Sequence, residues 1–184
     1  MPGEESIYRK NIWKLILGRI GWLILFLGGL LVCTMVMQTF ESLLRDELEL
    51  AFFVPLLIGH AGNSGGQTIT TIIRELGCKT LALSDARYIM YKESVIGIVQ
   101  SIFLSIVLFP YMVFTHIPPH IILIVSLTMI TLGLFANLCG ALLPFLIMRI
   151  HLDPAIVVAP LMTTAIDTVG LLMYLSIAMA IINY

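Results

Sequence analysis

The sequence predicts an all-α membrane protein of five transmembrane helices, and three observations carry that prediction. The chain of 184 residues is 59% apolar and only 11% charged, with a mean hydropathy of +1.04, whereas about a quarter of the residues of a soluble domain are charged. Its apolar residues form five runs long enough to cross a hydrocarbon core of about 30 Å, which takes about 20 helical residues. Its basic residues gather on alternate connections between those runs. A net charge of −1 leaves no basic surface and argues against nucleic acid as a partner. Cys33, Cys78 and Cys139 are odd in number and far apart, so neither a disulfide framework nor a clustered metal site is suggested.

The first run, Leu15 to Phe40, is about 26 residues long, far beyond the apolar segment of about 7 to 15 residues in a cleavable signal peptide. It is therefore read as a span. The second runs from Leu50 to Glu75, the third from Ser94 to Phe114, the fourth from Ile121 to Met148 and the fifth from Pro154 to Ile182. Arg9, Lys10, Lys14 and Arg19 precede or open the first span, Arg74, Lys79, Arg87 and Lys92 occupy the second connection, and Arg149 the fourth. The first connection, Glu41 to Leu50, has one Arg against four carboxylates, and the third, Thr115 to His120, has neither Lys nor Arg. The positive-inside rule then places the N-terminus in the cytosol and the C-terminus outside. The expected organisation is a cytosolic segment, 1–14, followed by a membrane domain, 15–184. The stretch Gly77 to Lys92 has two open readings: an amphipathic surface helix capped by Ser84 or Asp85, or a hydrated linker.

A formal charge at bilayer depth costs at least about 2.5 to 3.5 kcal/mol, and most charges here sit at span ends. Asp167 does not: it lies 13 residues from Pro154 and 15 from Ile182, at the middle of span five. Around it Pro160, Thr163, Thr164, Gly170 and Tyr174 recur at spacings of three and four, which predicts one polar helical face. An Asp buried neutral against a neighbour is the structural alternative. In span two, Asn63, Gln67, Thr70 and Arg74 form a second stripe, from mid-membrane to the cytosolic end, of the kind that lines an aqueous path. Gly59, Gly62, Gly65 and Gly66 on the same helix are expected to permit close helix packing.

The string Gly62-Asn63-Ser64-Gly65 matches the G-x-S-G motif of rhomboid intramembrane proteases. Such chemistry needs a base within hydrogen-bond reach, and His60, four residues away on the same helix, is wrongly placed. The enzyme reading is therefore rejected in favour of permeation.

Three stretches, Leu17 to Leu25, Phe52 to Gln67 and Phe135 to Ala178, together resemble the transmembrane domain of the MgtE family of magnesium channels and transporters. The most specific parts are the run from Pro55 to Gln67 and that from Asp153 to Gly170. The resemblance implies a homodimer of five-span protomers in the cytoplasmic membrane of a prokaryote, with a cation path formed by spans two and five near the two-fold axis. It implies Asp167 as the metal site and Asn63 and Asn137 as pore-side amides; together with the two polar stripes, the expected pore lining is Asn63, Gln67, Thr70, Asn137, Pro160, Thr163, Thr164 and Gly170. The transported ion it implies is Mg²⁺; hard oxygen ligands leave Mn²⁺, Co²⁺ and Ca²⁺ as alternatives. Family members carry a cytosolic N-domain and a paired CBS domain ahead of the membrane part. With only about 14 residues before the first span, the expectation is a stand-alone pore, a truncated chain, or a separate cytosolic regulatory subunit.

Overall fold

The computed structural model describes residues 11–150 and 154–182. Arg9, Lys10 and His151 lie outside the described residues, as does most of the expected N-terminal segment 1–14. Among the described residues all regular structure is helical: α1 (Ile12–Thr39), α2 (Glu41–Asp46), α3 (Leu48–Gly77), α4 (Ala86–Phe114), α5 (Pro119–Arg149), α6 (Pro154–Ala165) and α7 (Leu171–Ile182). A 3₁₀ turn covers Leu83–Asp85, and a π-helical turn, Ile166–Gly170, joins α6 to α7.

Four stretches are long and apolar enough to cross a membrane: α1, α4, α5 and Val157–Ile182. The expected second span is also one continuous helix, α3, of 30 residues, about 45 Å at 1.5 Å per residue. The glycines and amides between Gly59 and Gln67 keep it outside that group of four. A helix so polar at membrane depth is stable only where protein or water meets its polar side.

The connection over Gly77 to Lys92 is neither a separate surface helix nor a plain linker. After the 3₁₀ turn, where the Asp85 carboxylate accepts the Ala82 N–H at 2.9 Å, α4 starts at Ala86 and runs unbroken into the third span. α3 and α4 both end with a residue in the left-handed region, Lys79 (φ 59°) and His116 (φ 57°). The N–H of the next residue then reaches back five positions, Thr80 to Glu75 at 3.1 Å and Ile117 to Met112 at 3.0 Å. These bonds satisfy carbonyls that the helix ends would leave open.

α5 is the central helix, packed against α3, α4, α6 and α7, and the core around it includes Leu50, Leu57, Ile124, Leu132, Ile166 and Leu175. Close approach is set by small residues. A Cβ on Gly140 would lie 2.8 Å from the Gly65 carbonyl oxygen, and one on Gly97 would lie 2.6 Å from that of Gly133, so α5 meets α3 and α4 backbone to backbone. Of the four glycines expected to serve packing, only Gly65 does so within the chain. Its Cβ would sit 2.9 Å from the Ala136 carbonyl oxygen, whereas nothing lies within 4 Å of Gly59, Gly62 or Gly66. Those three belong to the side of α3 that the chain leaves open. α1 is peripheral: none of its residues is buried, and it packs chiefly on α6, the π turn and α7.

Candidate functional site

α3 has two unlike sides, and its heptad-like spacing separates them. Leu57, Ala61, Ser64, Gly65, Thr68 and Ile72 are buried, while Asn63, Gln67, Thr70 and Thr71 are exposed. With Gly62 and Gly66 between them, the exposed four bound an open groove of about 690 Å³. Thr70 keeps its hydroxyl on its own helix, donating to the Gly66 carbonyl at 2.8 Å. The amides of Asn63 and Gln67 have no protein partner of their own among the described residues. Asn63, Gln67 and Thr70 are thus where the spacing put them, on one outward stripe.

The last span departs from a regular helix at the predicted ion residue. Asp167 lies in the π turn, a wider turn that places one more residue in the path. One added residue rotates everything beyond it by about 100° relative to an unbroken α-helix. Pro160 and Thr163 are exposed, and Thr164 and Asp167 are partly so. Gly170 and Tyr174, which an unbroken helix would put on the same face, are instead packed inward. The position of a Cβ on Gly170 is 3.2 Å from Ile58 and 3.3 Å from Leu132, and the Tyr174 hydroxyl donates to the Leu50 carbonyl at 2.9 Å. Gly170 therefore packs and does not line an open surface. The Asp167 carboxylate accepts no hydrogen bond from any described residue. Thr163 and Thr164 donate to carbonyls of their own helix, Ala159 and Pro160, each at 3.1 Å.

Three contacts set the depth of Asp167 against α3. Tyr174 meets Leu50, Gly170 meets Ile58, and Met162 meets Gly65, an antiparallel register. Interpolated between them, Asp167 is level with His60 and Ala61, within a helical turn of Asn63. Only the Asn63 end of the α3 stripe is near that level, and on a single chain Asp167 does not bound the α3 groove. Among the described residues no three His, Cys, Asp or Glu side chains come together.

Asn137 is elsewhere. It is 1% exposed and belongs to a polar cluster inside the chain, between α3, α4 and α5. Its amide N–H donates to Glu93 at 3.2 Å, and its oxygen accepts from Ser64 at 2.5 Å and Gln100 at 3.4 Å. Thr68 donates to the same Glu93 oxygen at 2.7 Å, and Gln100 donates to Ser64. The cluster borders a partly open cavity of about 160 Å³, which shares Gln67 and Thr71 with the α3 groove. By holding Ser64 and Thr68 inward it fixes the rotation of α3, and so directs Asn63 and Gln67 outward. Asn137 is therefore a buried bonding residue rather than a member of the open stripe. The clue missed in the sequence is Glu93, at the start of the third span and seven residues before Gln100 on one face of α4. His60 bonds Ser101 at 3.1 Å, not Ser64, so no described histidine activates the G-x-S-G serine.

A family model described as a divalent cation transporter, MgtE, matches residues 54–177. The chain is 40% identical over 162 residues to the magnesium transporter MgtE of Thermus thermophilus, an overlap of 88% of this chain and 36% of that protein. It is 30% identical to the magnesium transporter MgtE of Bacillus subtilis over 185 residues, 98% of this chain and 40% of the relative. The MgtE of Enterococcus faecalis is also 30% identical, over 95% of this chain and 39% of its own. The chain spans little more than a third of the length of these relatives.

Proposed function

The chain belongs to the MgtE family as a transmembrane domain of it, and we propose that it forms, as a homodimer, a membrane path for Mg²⁺ centred on Asp167. It is an integral membrane protein of a transporter family, not an enzyme, and its bacterial relatives put it in a prokaryotic cytoplasmic membrane. The observation that carries the reading is the Asp167 carboxylate midway along the last apolar stretch, without a hydrogen-bond partner among the described residues and within a helical turn of the level of the exposed Asn63 amide. Neither surface is stable against hydrocarbon. Apposing two copies along α3 and the last span would cover both and bring two Asp167 carboxylates to one axis. Mg²⁺ dehydrates reluctantly and is usually held by one or two carboxylates with several waters retained, which suits that arrangement. The lining residues are then Asn63, Gln67, Thr70, Pro160, Thr163 and Thr164.

On this reading α3 is the second of five spans despite its polarity, because its outward side faces the partner and the path. The distribution of basic residues puts the N-terminus in the cytosol and the C-terminus outside. Residues 15–184 are the pore domain, and gating is supplied by cytosolic parts, on the same polypeptide or on a separate regulatory subunit. Moving a doubly charged ion inward is worth about 4.6 kcal/mol per 100 mV, so the membrane potential suffices to drive uptake.

The test is ion flux into proteoliposomes under an imposed potential, with Mg²⁺, Mn²⁺, Co²⁺ and Ca²⁺ in turn. Asp167→Asn keeps size and hydrogen bonding while removing the charge, so Mg²⁺ flux should collapse in a dimer of unchanged melting temperature. Wild-type flux through a well-folded Asp167→Asn dimer would refute the ion-site assignment. A preference for another ion in the wild type would move the substrate, and a requirement for a Na⁺ or H⁺ gradient would replace the channel by a coupled carrier.

A further inference from the structure

The π turn that carries Asp167 is bonded to another helix at two points, and both bonds run to or from α1. The Cys33 thiol donates to the main-chain carbonyl of Asp167 at 3.2 Å. The Thr168 hydroxyl donates to the carbonyl of Gly29 at 3.2 Å. That second bond breaks the local pattern, since Thr163 and Thr164, one turn earlier, both donate to their own helix. Gly29 is also a point of close approach: a Cβ there would clash with the Thr164 methyl, whereas one on Gly18, Gly21 or Gly28 of the same helix would have nothing within 4 Å. α1 has no buried residue and packs along α6, the π turn and α7, and its two side-chain hydrogen bonds to that span both fall on the irregular turn.

We infer that α1 is a positioning element for the ion site, in which Cys33, Gly29 and Thr168 pin the π turn so that the Asp167 carboxylate keeps one direction while remaining unbonded. The inference rests on the reading of Asp167 as the cation ligand and adds what holds it in place. Beyond the turn, the last helix is fixed by Tyr174 on Leu50 and by the burial of Leu171 and Leu175. The half before it is packed as well, through Val157, Val158 and Met162, so a relaxation of the turn to regular α-helix would fall on the segment between the two anchors and rotate Asp167 by up to about 100°. The two bonds to α1 act against that slip, and they act on the main chain and on Thr168, which leaves both carboxylate oxygens to the ion.

A loosened carboxylate does not affect all ions alike. Mg²⁺ requires near-ideal octahedral geometry at about 2.0 to 2.1 Å, whereas Ca²⁺ accepts six to eight oxygens at about 2.3 to 2.6 Å in flexible arrangements. Loss of the clamp should therefore lower Mg²⁺ flux more than Ca²⁺ flux. Each neutral hydrogen bond is worth a factor of about 2 to 10 in an equilibrium.

The experiment compares Cys33→Ala, Cys33→Ser, Thr168→Val and the double variant Cys33→Ala/Thr168→Val as purified full-length chains in proteoliposomes. The readouts are Mg²⁺ and Ca²⁺ flux and melting temperature. The ratio of Mg²⁺ to Ca²⁺ flux should fall by a factor of about 2 to 10 in each of Cys33→Ala and Thr168→Val, and further in the double variant. Cys33→Ser, which keeps a donor, should restore the ratio to within about twofold of wild type. A lower melting temperature with both fluxes reduced in proportion would assign α1 a merely structural role and overturn the inference, as would unchanged ratios throughout. Asp167→Asn run alongside separates the two claims. If it is inactive while the α1 variants keep wild-type selectivity, only the clamp falls, and if it conducts Mg²⁺ normally, the ion-site reading falls and the clamp with it.

Discussion

Gly65 and Gly66 are adjacent in sequence, yet they should respond in opposite directions to the same substitution. At Gly65 a methyl group would sit 2.9 Å from the Ala136 carbonyl oxygen. The Met162 side chain can swing aside, but a backbone carbonyl can yield only if α3 and α5 separate, and overpacking of this kind costs about 1 to 3 kcal/mol. Replacing a helical Gly by Ala returns about 1 kcal/mol through backbone entropy, so Gly65→Ala should lose up to about 2 kcal/mol net. At Gly66 nothing lies within 4 Å, and only the gain of about 1 kcal/mol remains. For a chain of this size about 1 kcal/mol moves the melting temperature by about 2 to 4 °C. Thermal unfolding in detergent should therefore place the two variants up to about 12 °C apart, with Gly65→Ala below and Gly66→Ala at or above wild type. Equal losses at both positions would mean that α3 is rotated from the orientation described, and the outward stripe of Asn63 and Gln67 would go with it. Flux adds a second axis. Gly66→Leu should fill the groove and cut Mg²⁺ transport while Gly66→Ala does not, because only the larger side chain reaches across the path.

Two further substitutions test the bonds that orient the site. Ser64→Ala removes the hydroxyl shared by Asn137 and Gln100 and should cost about 1 to 3 kcal/mol, seen as a lower melting temperature with Mg²⁺ flux per folded dimer retained; loss of flux without loss of stability would make the serine functional. Tyr174→Phe leaves the buried Leu50 carbonyl without its side-chain donor and should destabilise by a similar amount, about 1 to 3 kcal/mol. It should also shift the Mg²⁺ to Ca²⁺ flux ratio if the far side of the π turn depends on that anchor, and a stability loss with an unchanged ratio would confine Tyr174 to packing.

The stripe Asn63, Gln67, Thr70 was legible in the sequence because α3 is unbroken: spacing converts to a face without error wherever the period of the helix is constant. The place of Asp167 midway along the last apolar helical stretch was legible for a similar reason, since it needs only a count from the ends of that run. What failed was a statement of the same form about Gly170 and Tyr174. The register there is set by a turn that local propensity does not announce, between one half-helix tied to Leu50 and another tied to α1. The glycines of α3 failed differently. Gly65 and Gly66 have identical propensities, and which of them packs depends on the residue that α5 brings opposite. Asn137 combined both difficulties, because an amide at membrane depth serves equally to bond a neighbour or to line a path, and only the meeting of Glu93, Ser64 and Gln100 around it decides between them.

The four polar positions that the spacing argument misplaced or overlooked, Asn137, Glu93, Tyr174 and Cys33, have something in common: each bonds across helices, and none is on the open side. Their arrangement explains why the open side is where it is. A polar helix face in a membrane is at risk of turning inward to bury its amides, and α3 is held against that by Ser64 and Thr68 bonded into the internal cluster. The last span is at the same risk at Asp167, and is held by Tyr174 on one side of the π turn and by α1 on the other. Buried hydrogen bonds thus keep the two polar surfaces outward, so that the Asp167 carboxylate and the amides of Asn63 and Gln67 are left open instead of being consumed within the chain.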